Sequence, residues 1–183
     1  MKVDVFNLKG EKTDSIELPE EIFGAKVNVD LMHQAYQRQM ANARLGTHNT
    51  KRRGEVRGGG RIHTPKPRDY SQAMPRKMRR AALRSALTVV ANGEKLIMLD
   101  SIEMKEAKTA ELAKALKNLT GNKRALVLVP DKSEKSENLI KSGRNLTEAK
   151  LLQANYLNIR DLLSFEKVII PLASLDVIKA YLG

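Results

Sequence analysis

A chain of 183 residues with 33 Lys and Arg against 21 Asp and Glu carries a formal charge of +12, and it contains no Cys and no Trp. That length suits one domain with a real core. The lack of Cys excludes a disulfide framework or thiolate zinc site. Three Phe and four Tyr are too few for the base-stacking sheet surface of an RNA-recognition domain.

The N-terminus MKVDVFNLKGEK is too polar for a signal peptide, and no apolar run approaches membrane-spanning length, so the sequence predicts a soluble cytoplasmic protein. Residues 2–6, KVDVF, alternate like a half-buried strand, and SIEL at 15–18 returns it as a hairpin around Gly10. Pro19 and two glutamates suit a short helix ending at Gly24. Asp30 reads as the N-cap of a helix to about Arg44, with Met32, Tyr36, Met40 and Ala43 on one stripe. His33 and Tyr36 on that helix read as core or solvent positions rather than as a site.

From Arg38 to Arg84 the chain places fourteen Lys or Arg against two acids, Glu55 and Asp69. The remainder is therefore neutral, and the whole net charge lies in about a quarter of the length. Between Leu45 and Met74 the only aliphatic or aromatic residues are Val56, Ile62, Tyr70 and Ala73. No periodic apolar face exists there, so residues 45–75 read as a basic Arg/Gly-rich extended loop inserted between two helices, ordered by a polyanion. Gly54 and Gly58 to Gly60 permit close backbone approach, while Pro65 and Pro67 stiffen the exit. Eleven of the fourteen cations are Arg, whose planar fork suits phosphate and stacks on bases, which favours structured nucleic acid over a lipid surface.

After Pro75 a second helix runs from Arg76 to about Ala91, with Met78, Ala82, Ala86 and Val89 as its apolar stripe and Lys77, Arg80 and Arg84 on another face. Then LIMLD (96–100), a helix capped by Thr109 and ended by Gly121, ALVLV (125–129), a helix near 136–142, LLQA (151–154), a helix after Asn158, VII (168–170) and a final helix opened by Ser174 follow in turn. Short all-apolar strands alternating with helices predict an α/β fold: one domain over 1–183, a Rossmann-like doubly wound, mainly parallel sheet with helices on both faces.

Catalytic candidates are few. Asp100 and Asp131 each follow a strand, where such folds gather ligands, and two carboxylates there could hold magnesium as in a nuclease. Aspartate also commonly ends strands by bonding nearby amides. GGG at 58–60 lacks the preceding strand and following helix of a phosphate-binding fingerprint. His33, His48 and His63 have no neighbouring ligands that would make a metal site; His48 and His63 fall in the basic loop, where they can meet phosphate. Ser136, Lys141 and Ser142 read better as parts of a surface helix than as nucleophile and base.

TKRRGEVRGGG (50–60) and PKPRDYSQAMPRKMRRAALRSAL (65–87) closely resemble the bacterial large-subunit ribosomal protein L-four family, and LIMLDSIE (96–103), ALVLVPD (125–131), KSGRNL (141–146) and NIRDLLSFEKVII (158–170) fit the same family. The resemblance implies an α/β core on the solvent side of the large subunit and an arginine-rich extension threading into its 23S rRNA. In that family the tip of the extension, with the L-twenty-two family protein, lines a narrow part of the nascent-peptide exit tunnel. Some members also bind the leader of their own operon's messenger RNA.

The matching basic residues are Lys51, Arg52, Arg53 and Arg57 on the outgoing limb and Lys66, Arg68, Arg76, Lys77, Arg79 and Arg80 on the return. The charge pattern adds Arg44, Arg61, His63 and Arg84 as rRNA-binding candidates. One departure stands out. The family pattern carries some two to three dozen residues, including a Trp-containing run, where Gly60 here leads almost directly to Pro65. The expectation is a non-enzymatic rRNA-binding structural protein, monomeric within the ribosome and using no cofactor, with a tip that is either naturally shortened or missing from this sequence. The alternatives are a metal-dependent nucleic-acid-processing enzyme using Asp100 and Asp131, and a DNA- or messenger-binding regulator built on the same basic stretch.

Overall fold

The computed structural model describes residues 1–102, 104, 106–131 and 134–183, with the backbone alone at 134 and 135. Six strands form one sheet in the order β2-β1-β3-β6-β4-β5. β1 (Lys2–Phe6) and β2 (Lys12–Glu17) form the expected antiparallel hairpin at one edge. β3 (Leu96–Leu99), β4 (Ala125–Val129), β5 (Ala149–Gln153) and β6 (Lys167–Pro171) are parallel to each other and to β1. The α/β, mainly parallel architecture is as the sequence predicts.

The all-apolar strand sequences have a direct physical cause, because alternate residues of each strand face opposite layers. Met98, Leu126, Leu128, Val168 and Ile170 point into one core with α1 (Glu20–Phe23), α2 (Val29–Asn42), α3 (Arg76–Asn92), α6 (Ile159–Ser164) and α7 (Leu172–Leu182). Ile97, Leu99, Val127, Val129 and Ile169 point into the other, against α4 (Thr109–Thr120) and α5 (Glu134–Gly143). Both faces are therefore dry. Each such side chain stabilises the fold by roughly 1.5–3 kcal/mol.

Several helix ends differ from the sequence reading. Asn28, not Asp30, caps α2, since its Oδ1 accepts the Leu31 N–H at 3.0 Å. Asp30 then lies in the first turn, where a carboxylate still complements the helix dipole. α2 stops at Asn42 rather than Arg44. Lys108 precedes α4 without a side-chain cap bond, which places Thr109 inside the helix. The last helix opens after Pro171, and Ser174 is buried, its hydroxyl donating to the Leu128 carbonyl at 3.4 Å. Gly121 at φ 61° ends α4 as expected, with its N–H on the Lys117 carbonyl.

Candidate nucleic-acid interface

The basic segment leaves the core between the end of α2 and the start of α3, and those two helices pack against each other. Its foot is tied by Asn42, whose Oδ1 accepts the Gln72 N–H at 2.7 Å, and by Arg38, whose Nε donates to the Gln72 carbonyl at 3.0 Å. Further out, the Arg68 N–H donates to the Gly46 carbonyl at 3.1 Å and the Thr50 N–H to that of Pro65 at 3.3 Å. A backbone bridge then pairs Arg52 with Arg61. The segment is an arm of two limbs zipped together along its length.

The end of the arm is closed. Residues 53–55 form a single 3-10 turn, with the Glu55 N–H on the Arg52 carbonyl at 2.9 Å. The Glu55 carboxylate in return accepts the Arg52 N–H at 2.7 Å and meets Lys66 Nζ at 3.6 Å. Gly60 crosses against this turn so tightly that a Cβ there would overlap Arg53 Cα. These bonds correct the expectation that the segment has no internal order of its own. Lack of an apolar face excludes a core, but not backbone pairing between two limbs.

Every residue from Thr47 to Gly59 is exposed, as are Arg61, Ile62 and His63. Lys51, Arg52, Arg53, Arg57, Arg61 and His63 thus all present their charge or ring to solvent. Arg52, Arg53, Arg61 and His63, with Gly54, Ile62 and Thr64, surround an open hollow of about 630 Å³ that no acid lines. Thr64 Oγ1 is enclosed without a partner among the described residues. The only acids of the basic segment are both engaged. Hydrogen bonding from the Arg52 backbone holds Glu55 below the ordinary carboxylate range, and Ser71 does the same for Asp69 through its hydroxyl and N–H.

Tyr70 organises the return limb. The Arg68 guanidinium stands 4.2 Å from its ring centroid, that of Arg44 4.9 Å, and the His48 ring lies tilted at 6.1 Å. Each cation–ring contact stabilises by about 0.5–1 kcal/mol at an exposed site. Two cations are thereby held close together across the foot. Gly46 and Tyr70 shape this segment and are positions that charge counting did not single out. For Tyr70 the only local hint is the adjoining Arg68-Asp69 pair.

On α3, Ala82, Leu83, Ala86, Leu87 and Val90 are buried, whereas Met78 and Val89 are only half-buried. The buried stripe is wider than the predicted one because the helix packs against α1, α2 and α6 together. Arg76 and Lys77 are exposed, while Arg79, Arg80 and Arg84 are half-buried. The last three each keep Nε out of solvent without a partner among the described residues. An unmet buried donor costs roughly 1–3 kcal/mol.

The catalytic candidates do not converge. β6 lies between β3 and β4, so Asp100 and Asp131 follow strands about 10 Å apart across the sheet. The Asp100 N–H donates to the Phe6 carbonyl at 3.1 Å, and Asp131 offers its own carbonyl to the Ser136 hydroxyl at 2.5 Å. Ser142 Oγ donates to the Asn138 carbonyl at 2.7 Å, and Lys141 pairs with Glu137 at 2.8 Å. His33 is exposed beside Gln37 on α2, apart from the arm that carries His48 and His63.

A pattern describing the ribosomal protein L4/L1 family matches residues 16–61 and 55–181. The chain belongs to the ribosomal protein L4/L1 family. Among its L4/L1 relatives, the large ribosomal subunit protein uL4 of a Thermoanaerobacter species is 39% identical over 204 aligned positions, covering 97% of each chain. The uL4 proteins of Alkaliphilus oremlandii and Clostridium acetobutylicum are each 38% identical, covering 92% of this chain and 93% and 92% of their own. The two matched pieces share residues 55–61, the end of the arm. An alignment of 204 positions over 97% of 183 residues also leaves about two dozen positions of the relative facing a gap in this L4/L1 chain.

Proposed function

We propose that this protein is a non-enzymatic structural component of the large ribosomal subunit that binds 23S rRNA through the arm and the adjoining start of α3. The observation that carries the reading is the arm itself: a backbone-zipped projection that, with Arg38 and the start of α3, bears the whole net charge, and whose two acids are already engaged. Arg44, Lys51, Arg52, Arg53, Arg57, Arg61, His63, Lys66 and Arg68 meet phosphate from the arm, and Arg76, Lys77, Arg79, Arg80 and Arg84 continue the contact along α3. Phosphate neutralisation supplies affinity, and RNA shape supplies most of the specificity. Family membership and the names of the relatives support this assignment and a cytoplasmic ribosomal location.

In this reading the arm is short. The doubly matched 55–61, the alignment gap and the closed turn at Glu55 and Gly60 all support a limb that turns back before a tunnel-lining tip. Contact with the L-twenty-two family protein at the tunnel is correspondingly reduced, while rRNA anchoring is retained. Any binding to the leader of its own operon's messenger RNA uses the same cationic surface and competes with rRNA.

The test is titration of large-subunit rRNA fragments with the full chain at increasing salt. Affinity is expected to fall steeply, by about 10³–10⁵ between 50 and 200 mM salt for six to ten phosphate contacts. Affinity independent of salt, or a preference for duplex DNA, would refute the reading. Metal-dependent RNA cleavage that disappears in Asp100→Ala would instead establish the enzyme.

A further inference from the structure

Beside the arm's foot lies a cleft of about 220 Å³ that the basic arm does not use. Its floor is apolar, formed by Ala35 of α2, Leu83 of α3, Leu157 and Ile159, and its rim carries Arg38, Arg79 and Tyr181. Gln39 and Asn158 form a rigid wall. Gln39 Nε2 donates to Asn158 Oδ1 at 3.0 Å, its Oε1 accepts the Arg160 N–H at 3.3 Å, and Asn158 Nδ2 donates to the buried Asp161 at 2.8 Å. Those amides are therefore already satisfied within the protein. Arg79 differs, because its Nε is enclosed and has no partner among the described residues. No acid lines the cleft.

We propose that this cleft receives a single unstacked base of the rRNA, with the phosphate of the same nucleotide held at the Arg38 and Arg79 rim. The proposal rests on the rRNA-binding reading above and adds a specific subsite to it. The cavity is smaller than the roughly 300–1,000 Å³ of small-molecule sites, so it suits one ring system rather than a dinucleotide. An apolar floor matches the face of a base, and the guanidinium of Arg79, which lines the cleft, matches an acceptor on its edge or its phosphate. The position argues for RNA as occupant. Arg38 lies just before the last turn of α2 and Arg79 in the first turn of α3, on either side of the point where the arm departs. An RNA strand following the positive charge from arm to α3 passes over the cleft mouth.

The experiment compares the full chain with Ala35→Leu, which fills the floor, and Arg79→Gln, which removes the rim cation without adding bulk. Each is titrated with large-subunit rRNA fragments, and the bases are probed chemically in the complex. Wild-type protein is expected to protect one base that both variants leave reactive, with affinity lowered about tenfold by Ala35→Leu. Ala35→Leu should leave the slope of log K against log salt unchanged, and Arg79→Gln should reduce it by about one. If Ala35→Leu does not fold, loss of the same protection in Arg79→Gln decides the matter. Variants that bind and protect as wild type does would overturn the cleft alone, and would leave it to a protein neighbour. A wild-type chain that binds no rRNA would overturn the wider reading with it.

Discussion

Gly46 and Arg68 face each other across the foot of the arm. The Arg68 N–H donates to the Gly46 carbonyl at 3.1 Å, Gly46 has φ 66°, and a Cβ on Gly46 would overlap the Arg68 carbonyl oxygen. Two constraints coincide at one residue. Gly46→Ala is expected to cost about 1–3 kcal/mol of local closure. Amide exchange at Arg68 and Thr50 should speed up and rRNA affinity should fall, with protection of the sheet unchanged; slow exchange retained at both sites would contradict this.

At the other end of the arm, Glu55 is exposed, and its carboxyl is held below the ordinary range first by the Arg52 backbone and then by Lys66. A carboxylate depressed in the folded state stabilises closure above its unfolded pKa, and that stabilisation is lost as pH falls through the folded value. Closure of the turn is therefore expected to weaken on acidification below the usual glutamate range. Carboxyl titration by NMR should show this, and Glu55→Gln should give faster Arg52 amide exchange already at pH 7.

Tyr70 holds the Arg44 and Arg68 guanidinium groups at 4.9 and 4.2 Å. Tyr70→Leu keeps the bulk and removes the ring, with an expected loss of about 1–2 kcal/mol from two contacts. The measurable result is weaker rRNA binding with an unchanged salt slope, since no charge has been removed. A changed slope would mean that the ring does not act by positioning cations.

Removing single exposed cations should behave in the opposite way. Arg53→Gln or Arg57→Gln leaves thermal stability unaltered and lowers the slope of log K against log salt by about one each. Leu87→Ala supplies the contrast. Leu87 is fully enclosed between α3 and its neighbours, so its truncation should cost about 2–5 kcal/mol in urea unfolding, with the slope unchanged.

Much of the architecture is legible along the chain because it depends on local pattern. Five-residue apolar runs such as Ala125–Val129 must be buried on both faces, and that requirement alone leads to a parallel sheet between helical layers. The confinement of net charge to 38–84 is likewise a one-dimensional fact, and with the motifs around TKRRGEVRGGG it led to the family. Cap positions were less legible. Asn28 and Asp30 are both good capping residues, and only the accepted Leu31 N–H distinguishes them.

What the sequence by itself determined is therefore the layer order, the place of the charge and the kind of partner that charge requires. The tertiary structure alone decided that the arm is closed on itself and that a cleft stands beside it. Both depend on pairs distant in sequence, Gly46 with Arg68, Glu55 with Lys66 and Gln39 with Asn158. Periodicity reports which face a residue turns to the core. It carries no information about which two faces, brought together by the packing of α2, α3 and α6, leave a gap the size of a base.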